Sequence, residues 1–426
     1  MRSPAFRMLM VGQSVSNIGN NVFMIAFPWL LLSRHGGVEL LGTVLTCSGV
    51  ARTAAIPLGG WLADRFGSWR VMLWSDGAQI AIATALALCA FLLTPSVTWV
   101  LPVDVCAAVA GGLLIPSSMS VIPALLPEDQ VGRGVALFTG GLQLAGVVGP
   151  ALGGAMVALL GAPSALVIDA GSYVVSTASL LRIRKFMATA ATADSEPESA
   201  EAAEAADAPA TGPADLPFGV FIRNARLLQA LVLVSVVFYL AYPGMEQVAM
   251  PTLAHQDFGA SGFGLLLTVQ ALCSLAGTAL AGRYAQIRAV PYVQAILVAT
   301  FGAALALVPY AGGLAGALVA IAVFSVAVGW QGIGMVTLLQ TWTPAHLLGR
   351  TMSVLMAVSQ GLSSISVAII TVIVHHSGPG PAFLIAGLAS VATALGLLAF
   401  PAFRRYRLGD KFVLQGWIPA KSGASR

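Results

Sequence analysis

Gly59-Gly60-Trp61-Leu62-Ala63-Asp64-Arg65-Phe66-Gly67-Ser68-Trp69-Arg70 separates two long apolar runs, roughly 40–63 and 71–93. About 20 consecutive apolar residues cross the hydrocarbon core of a bilayer, so each run is long enough to span one. The stretch between them reads as a tight charged turn. Asp64, Arg65 and Arg70 hold it at the water interface, Gly67 permits the left-handed backbone that closes such a turn, and Gly59 and Gly60 leave room for another helix to approach.

The same pattern runs through the chain. Of 426 residues, 58% are hydrophobic and 9% charged. Water-soluble chains average about 25% charged residues, so an ordinary soluble globule is excluded. The apolar run 8–32 is too long for a cleaved signal peptide and is followed by no small-residue cleavage site, so it reads as a permanent first span. Twelve candidate spans follow in order: 8–32, 40–63, 71–93, 98–125, 133–160, 163–182, 227–251, 261–282, 290–310, 313–341, 349–374 and 381–402. With both termini in the cytoplasm, Arg2, Arg7, Arg65, Arg70, Arg133, Arg182, Arg184, Lys185, Arg223, Arg226, Arg283, Arg288, Arg350 and the basic tail all lie inside. Only Arg34 lies outside, and Arg52 lies within a span. The positive-inside rule predicts this orientation, and hence an all-α, multi-pass protein of the plasma (inner) membrane embedded in the lipid bilayer.

Between Lys185 and Arg223 there is no basic residue, while Asp194, Glu196, Glu198, Glu201, Glu204, Asp207 and Asp215 lie among Ala, Pro, Ser and Thr. Such a segment cannot bury a core and predicts a disordered linker. The expected organisation is a first six-helix bundle (1–186), an acidic cytoplasmic linker (187–222), a second bundle (223–403) and a basic tail (404–426). Cys47, Cys89, Cys106 and Cys273 fall within apolar runs without metal spacing and read as small packing residues. There is no Walker phosphate loop, no His-Glu-x-x-His and no Gly-x-Ser-x-Gly. No soluble segment is large enough to house catalysis. The chain therefore predicts no enzyme, no cofactor, no bound metal and no nucleic-acid partner.

The turn between the second and third runs resembles the loop signature of the major facilitator superfamily, Gly-x-Leu-Ala-Asp-Arg-x-Gly-Arg-Arg. Gly60, Leu62, Ala63, Asp64, Arg65 and Gly67 match; Ser68 and Trp69 depart from the basic pair, and Arg70 is the nearest substitute. In the fifth run, Gly146-Val147-Val148-Gly149-Pro150-Ala151-Leu152-Gly153-Gly154 carries a Gly-Pro-x-x-Gly-Gly core that resembles the antiporter motif of drug:proton exporters. The region from Ile115 to Arg184 is similar to an exporter branch that includes bacterial siderophore and macrolide efflux proteins. A decayed copy of the loop signature falls at 280–288, where Gly282 aligns with Gly60 and Gln286 replaces the aspartate.

The resemblance implies twelve helices in two pseudo-symmetric six-helix bundles that rock about a midplane site. It implies proton-coupled export of a small hydrophobic or amphipathic drug or secondary metabolite, with substrate and protons as partners and the chain acting as a monomer. Gly60, Asp64, Arg65, Gly67 and Arg70 would gate the cytoplasmic side, with Asp76 completing the charge cluster. Gly146, Gly149, Pro150, Gly153 and Gly154 would form the packing hinge of the outward path. Uptake or facilitated exchange of a metabolite is the second reading. A non-transporting receptor or assembly factor is the third, and it predicts that mutating the buried acids leaves solute handling unchanged.

Polar residues inside the runs supply the site candidates. Gln13, Asn17, Asn20 and Asn21, with Met24 a turn beyond, share one helical face. Lipid does not solvate amides, so that face lines a cavity or bonds a neighbouring helix. Arg52 is a functional candidate by default or one half of a structural ion pair. Asp104, Asp169 and Glu246 join it as coupling candidates. Asp169 shares a face with Ser172, Tyr173 and Ser176. Glu246 follows Tyr239, Tyr242 and the potential helix break Pro243-Gly244. It reads as a proton- or cation-binding carboxylate or as an interfacial acid. Gln270, Gln331 and Gln360 complete the expected lining. His375 and His376 read as a solvated loop or a pH-sensing pair.

Overall fold

In the computed structural model the described residues are 4–33, 36–122, 125–193, 226–283, 290–342 and 345–399. Their helices are α1 (Pro4–Leu32), α2 (Gly37–Phe66), α3 (Ser68–Leu92), α4 (Val97–Ser120), α5 (Glu128–Leu160) and α6 (Ala162–Ala193) in the first half. The second half holds α7 (Arg226–Gly244), a π-helical turn (Met245–Ala249), α8 (Met250–Asp257), α9 (Gly259–Arg283) and α10 (Val290–Leu307). A short 3₁₀ turn (Val308–Tyr310), α11 (Leu314–Trp342), α12 (Ala345–Ser377) and α13 (Pro379–Ala399) complete it. Among the described residues, 12 spans are long and apolar enough to cross a membrane, the seventh running from α7 through the π turn into α8.

Three boundaries differ from expectation for identifiable reasons. α4 stops at Ser120 rather than at 125, ahead of Pro123, because the residue before a proline is driven out of the helical region. The seventh span does not break at Pro243-Gly244. It passes through a π turn, so the segment stays helical to Asp257. α6 is helical to Ala193, beyond the expected start of the linker. The rest of the acidic stretch (194–225), the weak loop repeat past Arg283 and the basic tail lie outside the described residues.

Lipid tails are as apolar as leucine, so helices in a membrane associate by close packing rather than by hydrophobic drive. In the first half, α2 and α4 touch at backbone distance. A Cβ added at Gly59 would lie 2.7 Å from Leu113 Cα, and one at Gly112 would lie 2.7 Å from Arg52 O. The second half repeats this with α9 and α11, where Gly277 faces Val326 and Gly329 faces Ser274. The matching pairs express the two-half pseudo-symmetry. Phe27, Phe263, Phe301, Phe324 and Phe383 are buried, whereas Leu88, Leu92, Leu159, Val319 and Leu395 face outward. That outward apolar surface is what a bilayer solvates. Cys47 and Cys106 belong to the exposed surface rather than to the packing.

The described contacts between the halves gather toward the end of the bundle where α1 gives way to α2. Gly154 of α5 meets Gly264 of α9, Gly42 of α2 meets Thr371 of α12, and Gly49 meets Ser364. Trp29 and His255 place their rings 4.7 Å apart, and Glu39 pairs with His375 at 3.2 Å. At the other end lies the α2–α3 turn. There Gly67 has φ 87° and donates its N–H to Ala63 O at 2.9 Å. Gly60 has open space about its Cβ position.

Candidate functional site

A cavity of about 260 Å³ lies between the halves. Asn21 and Met24 of α1 and Gly146 and Pro150 of α5 form one wall; Tyr242, Glu246, Gln270, Ser274 and Phe324 form the other. Of the predicted residues, Asn21, Met24, Tyr242, Glu246, Gln270, Gly146 and Pro150 thus converge on a single space. Asn21 is held from below by Asn17, since its Nδ2 donates to Asn17 O at 2.7 Å and to Oδ1 at 3.2 Å.

The chemistry of the cavity centres on Glu246, within the π turn. A π turn inserts one residue into the helical register and recurs at functional sites. Tyr242 OH donates to Glu246 Oε1 at 2.9 Å, and Gln270 Nε2 donates to the same oxygen at 2.7 Å. Gln270 Nε2 also reaches Tyr242 OH at 2.7 Å. Two neutral donors therefore fix the carboxyl, and among the described residues no cation lies within ion-pair distance of it. Behind it Phe238 stacks on Tyr242 with centroids 5.2 Å apart, Tyr242 stacks on Phe324 at 5.5 Å, and Phe301 tilts against Phe324 at 5.0 Å. The site thus presents one carboxyl on an aromatic wall. Such a wall binds flat apolar groups, and its ring faces attract cations. Buried Ser366 accepts the N–H of Gly244 at 2.9 Å, anchoring the start of the π turn to α12. Sequence reading passed over the phenylalanines, because an aromatic in a membrane helix carries no local signal that separates a pocket wall from lipid contact.

The other coupling candidates lie elsewhere. Asp104 of α4 accepts a hydrogen bond from Ser48 at 2.6 Å. Arg52, one turn from Ser48, is exposed and makes no ion pair among the described residues. Asp169, Tyr173, Asn20 and Gln13 face the α1–α6 contact inside the first half. There Tyr173 OH donates to Asn20 Oδ1 at 2.6 Å and Gln13 Nε2 to Ser176 Oγ at 3.0 Å. Asp76 is wholly buried and bonded to Ser176 at 2.5 Å, rather than joining Arg70. Tyr239 packs edge-on against Phe238. Gln331 and Gln360 do not line the cavity.

The loop-signature residues are at the surface. Asp64, Arg65 and Arg70 are exposed, and Arg65 lies over Trp61 at 5.4 Å and Phe66 at 5.8 Å. Within the fifth-span motif, Gly149 and Gly153 seat α1 at Asn21 and Val22, Gly154 seats α9, and Gly146 opens to the cavity. His375 sits in the last turn of α12 and bridges to Glu39 across the halves, a pairing of residues far apart in sequence that no local pattern announces.

The family profile described as Major Facilitator Superfamily matches residues 9–341. The multidrug efflux pump Tap of Mycobacterium tuberculosis (strain ATCC 25618 / H37Rv) is 26% identical over 430 residues, covering 96% of each chain. The multidrug export protein EmrB of Escherichia coli (strain K12) is 35% identical over 137 residues, covering 32% of this chain and 26% of EmrB. Among solved structures, a peptide transporter POT in complex with sulfate superposes with a TM-score of 0.68 at 16% identity, covering 94% of this chain and 95% of that one.

Proposed function

The chain belongs to the Major Facilitator Superfamily, and on that footing we propose that it exports small hydrophobic or amphipathic compounds in exchange for protons, by alternating access. One observation carries the reading: Glu246 is held by two neutral donors against a stacked aromatic wall, in a cavity between the two halves. An aromatic wall and a single carboxyl suit a flat, apolar cation. A proton and such a cation compete for the same oxygen, which is the requirement for exchange.

The geometry fits one state of the cycle. With both termini in the cytoplasm, as the arginine and lysine distribution favours, the sealed end faces outward and the cavity is reached from inside. Closing the gate at the α2–α3 turn and parting α5 from α9 would turn the cavity outward. A proton entering down a membrane potential contributes about 2.3 kcal/mol per 100 mV to the export step. The similarity to the multidrug efflux pump Tap, along nearly the whole chain, supports drugs as the substrate class and efflux as the direction.

The test is proton release from purified protein in liposomes on adding a panel of hydrophobic aromatic cations, with Glu246→Gln alongside. Release by at least one compound, abolished in Glu246→Gln, is expected. Equilibration of labelled compound without proton movement would replace exchange by facilitated transport.

A further inference from the structure

Hydrogen bonds already made within the wall of the cavity restrict what its occupant can offer. On the footing that this cavity is the transport site, we propose that it selects a cation whose ammonium group carries at least two N–H bonds. That group is a protonated primary or secondary amine, and it donates to Glu246 of the second half and to Asn21 of the first.

The donors on the wall are spent on one another. Tyr242 OH donates to Glu246 Oε1. Gln270 Nε2 divides its hydrogens between Glu246 Oε1 and Tyr242 OH. Ser325 Oγ donates to Ile321 O at 2.6 Å, within its own helix. Asn21 Nδ2 donates to Asn17 O at 2.7 Å. A backbone carbonyl can only accept, so that bond fixes which way the Asn21 amide points and leaves Oδ1 as its free end. What remains open is a set of acceptors. Among the described residues, neither Asn21 Oδ1 nor Glu246 Oε2 takes a hydrogen bond. Both residues are partly exposed and line the cavity, and neither oxygen is sealed in as Gln270 Oε1 is. Pro150, inside α5, has no N–H to give to the carbonyl of Gly146 one turn back. Gly146 has no side chain, so it lines the cavity with backbone alone. Ser274 Oγ makes no hydrogen bond among the described residues, and a hydroxyl accepts as readily as it donates.

Each class of ligand meets this wall differently. Among the described residues no lysine, arginine or histidine lines the cavity, so an anion meets a carboxyl and no compensating charge. A neutral acceptor finds Ser274 as its one uncommitted side-chain donor. A quaternary ammonium answers the charge of Glu246 but gives Asn21 Oδ1 nothing, and a polar atom desolvated without a partner costs binding. A tertiary ammonium has a single N–H and satisfies one wall only. Two N–H bonds satisfy both. At about 260 Å³ the space is at the small end for a ligand site, so Glu246 and Asn21 face the same head group. Asn21 lies on α1 and Glu246 between α7 and α8, so that head group ties one half of the protein to the other.

The test is a methylation series on one aromatic tail. The N-methyl, N,N-dimethyl and N,N,N-trimethyl forms of 4-phenylbutylammonium are all cations at neutral pH and carry two, one and no N–H bonds. Their binding to full-length protein in lipid nanodiscs would be measured by titration calorimetry, with empty nanodiscs subtracted. Wild type should bind the secondary cation about tenfold more tightly than the tertiary one, as a hydrogen bond from a charged donor allows. Asn21→Leu should bring these two within about twofold of each other while leaving the ratio of tertiary to quaternary unchanged. Glu246→Gln should weaken all three. Equal binding of the three by wild type, weakened in Glu246→Gln, overturns the selection of N–H bonds and leaves the cavity as a cation site. A secondary-to-tertiary preference that persists in folded Asn21→Leu overturns the role of Asn21. If Asn21→Leu does not fold, the wild-type ratio decides by itself, and a ratio near one overturns the proposal. Binding of none of the three overturns both the proposal and the cavity as a cation site. Proton movement plays no part in this readout, so a preference that follows Asn21 in protein that releases no protons would remove the exchange reading alone.

Discussion

Gly154→Ala should loosen the seal between the halves. A Cβ at Gly154 would lie 2.8 Å from Ala260 O and 2.8 Å from Gly264 Cα, and one at Gly264 would lie 2.5 Å from Pro150 O. These neighbours are backbone atoms, so no side chain can swing aside; α5 and α9 must part. Inserting a methyl group into close packing costs about 1–3 kcal/mol. An open state in which α5 and α9 have parted would lack this contact, so the penalty would fall on the sealed state and shift the sealed-to-open ratio roughly 5- to 150-fold. Gly140→Ala, on the same helix with nothing within 4 Å of its Cβ position, serves as the control for helix propensity. Spin labels on Leu159→Cys and Ser261→Cys, in a background lacking the four native cysteines, would report the α5–α9 separation by pulsed dipolar spectroscopy. A second, longer distance should gain population in Gly154→Ala and in Gly264→Ala but not in Gly140→Ala. If all three leave the distribution unchanged in folded protein, the backbone contact does not set the seal and the reasoning fails.

Three smaller predictions follow from other contacts. Ser366→Ala leaves the buried N–H of Gly244 without its acceptor. It should destabilise the fold by about 1–3 kcal/mol, read as a lower thermal unfolding midpoint; an unchanged midpoint would show that the π turn needs no anchor. Phe324→Leu keeps an apolar side chain but removes stacking on Tyr242 worth about 0.5–1.5 kcal/mol. Binding of an aromatic cation should weaken about two- to tenfold, against no change for an aliphatic one of equal size. The Glu39–His375 pair is half-exposed, so Glu39→Gln should shift the same spin-label distribution by about 1 kcal/mol at most. A larger shift would mean the pair, rather than the glycine contact, holds the seal.

Hydropathy and charge carried much of this protein's architecture in plain view. A bilayer demands long apolar helices with satisfied backbones and a bias of arginine and lysine to one side, and both requirements act locally along the chain. The runs either side of the Asp64–Arg70 turn therefore announced the spans, and the glycines of 146–154 announced a close-packed helix. Which neighbour each glycine meets is a property of three-dimensional packing. Gly149 and Gly153 take α1, and Gly154 takes α9 in the other half. The same limit applies to the acids. Asp76, Asp104, Asp169 and Glu246 read alike in sequence, as single carboxyls in apolar helices. Tertiary structure alone separates Glu246, facing an aromatic cavity, from Asp104 on Ser48 and from Asp76 and Asp169 in the interior of the first half. A side chain's sequence neighbours determine whether it enters the membrane. Its partners across helices, a hundred residues away for Asp76 and Ser176, determine what it does there.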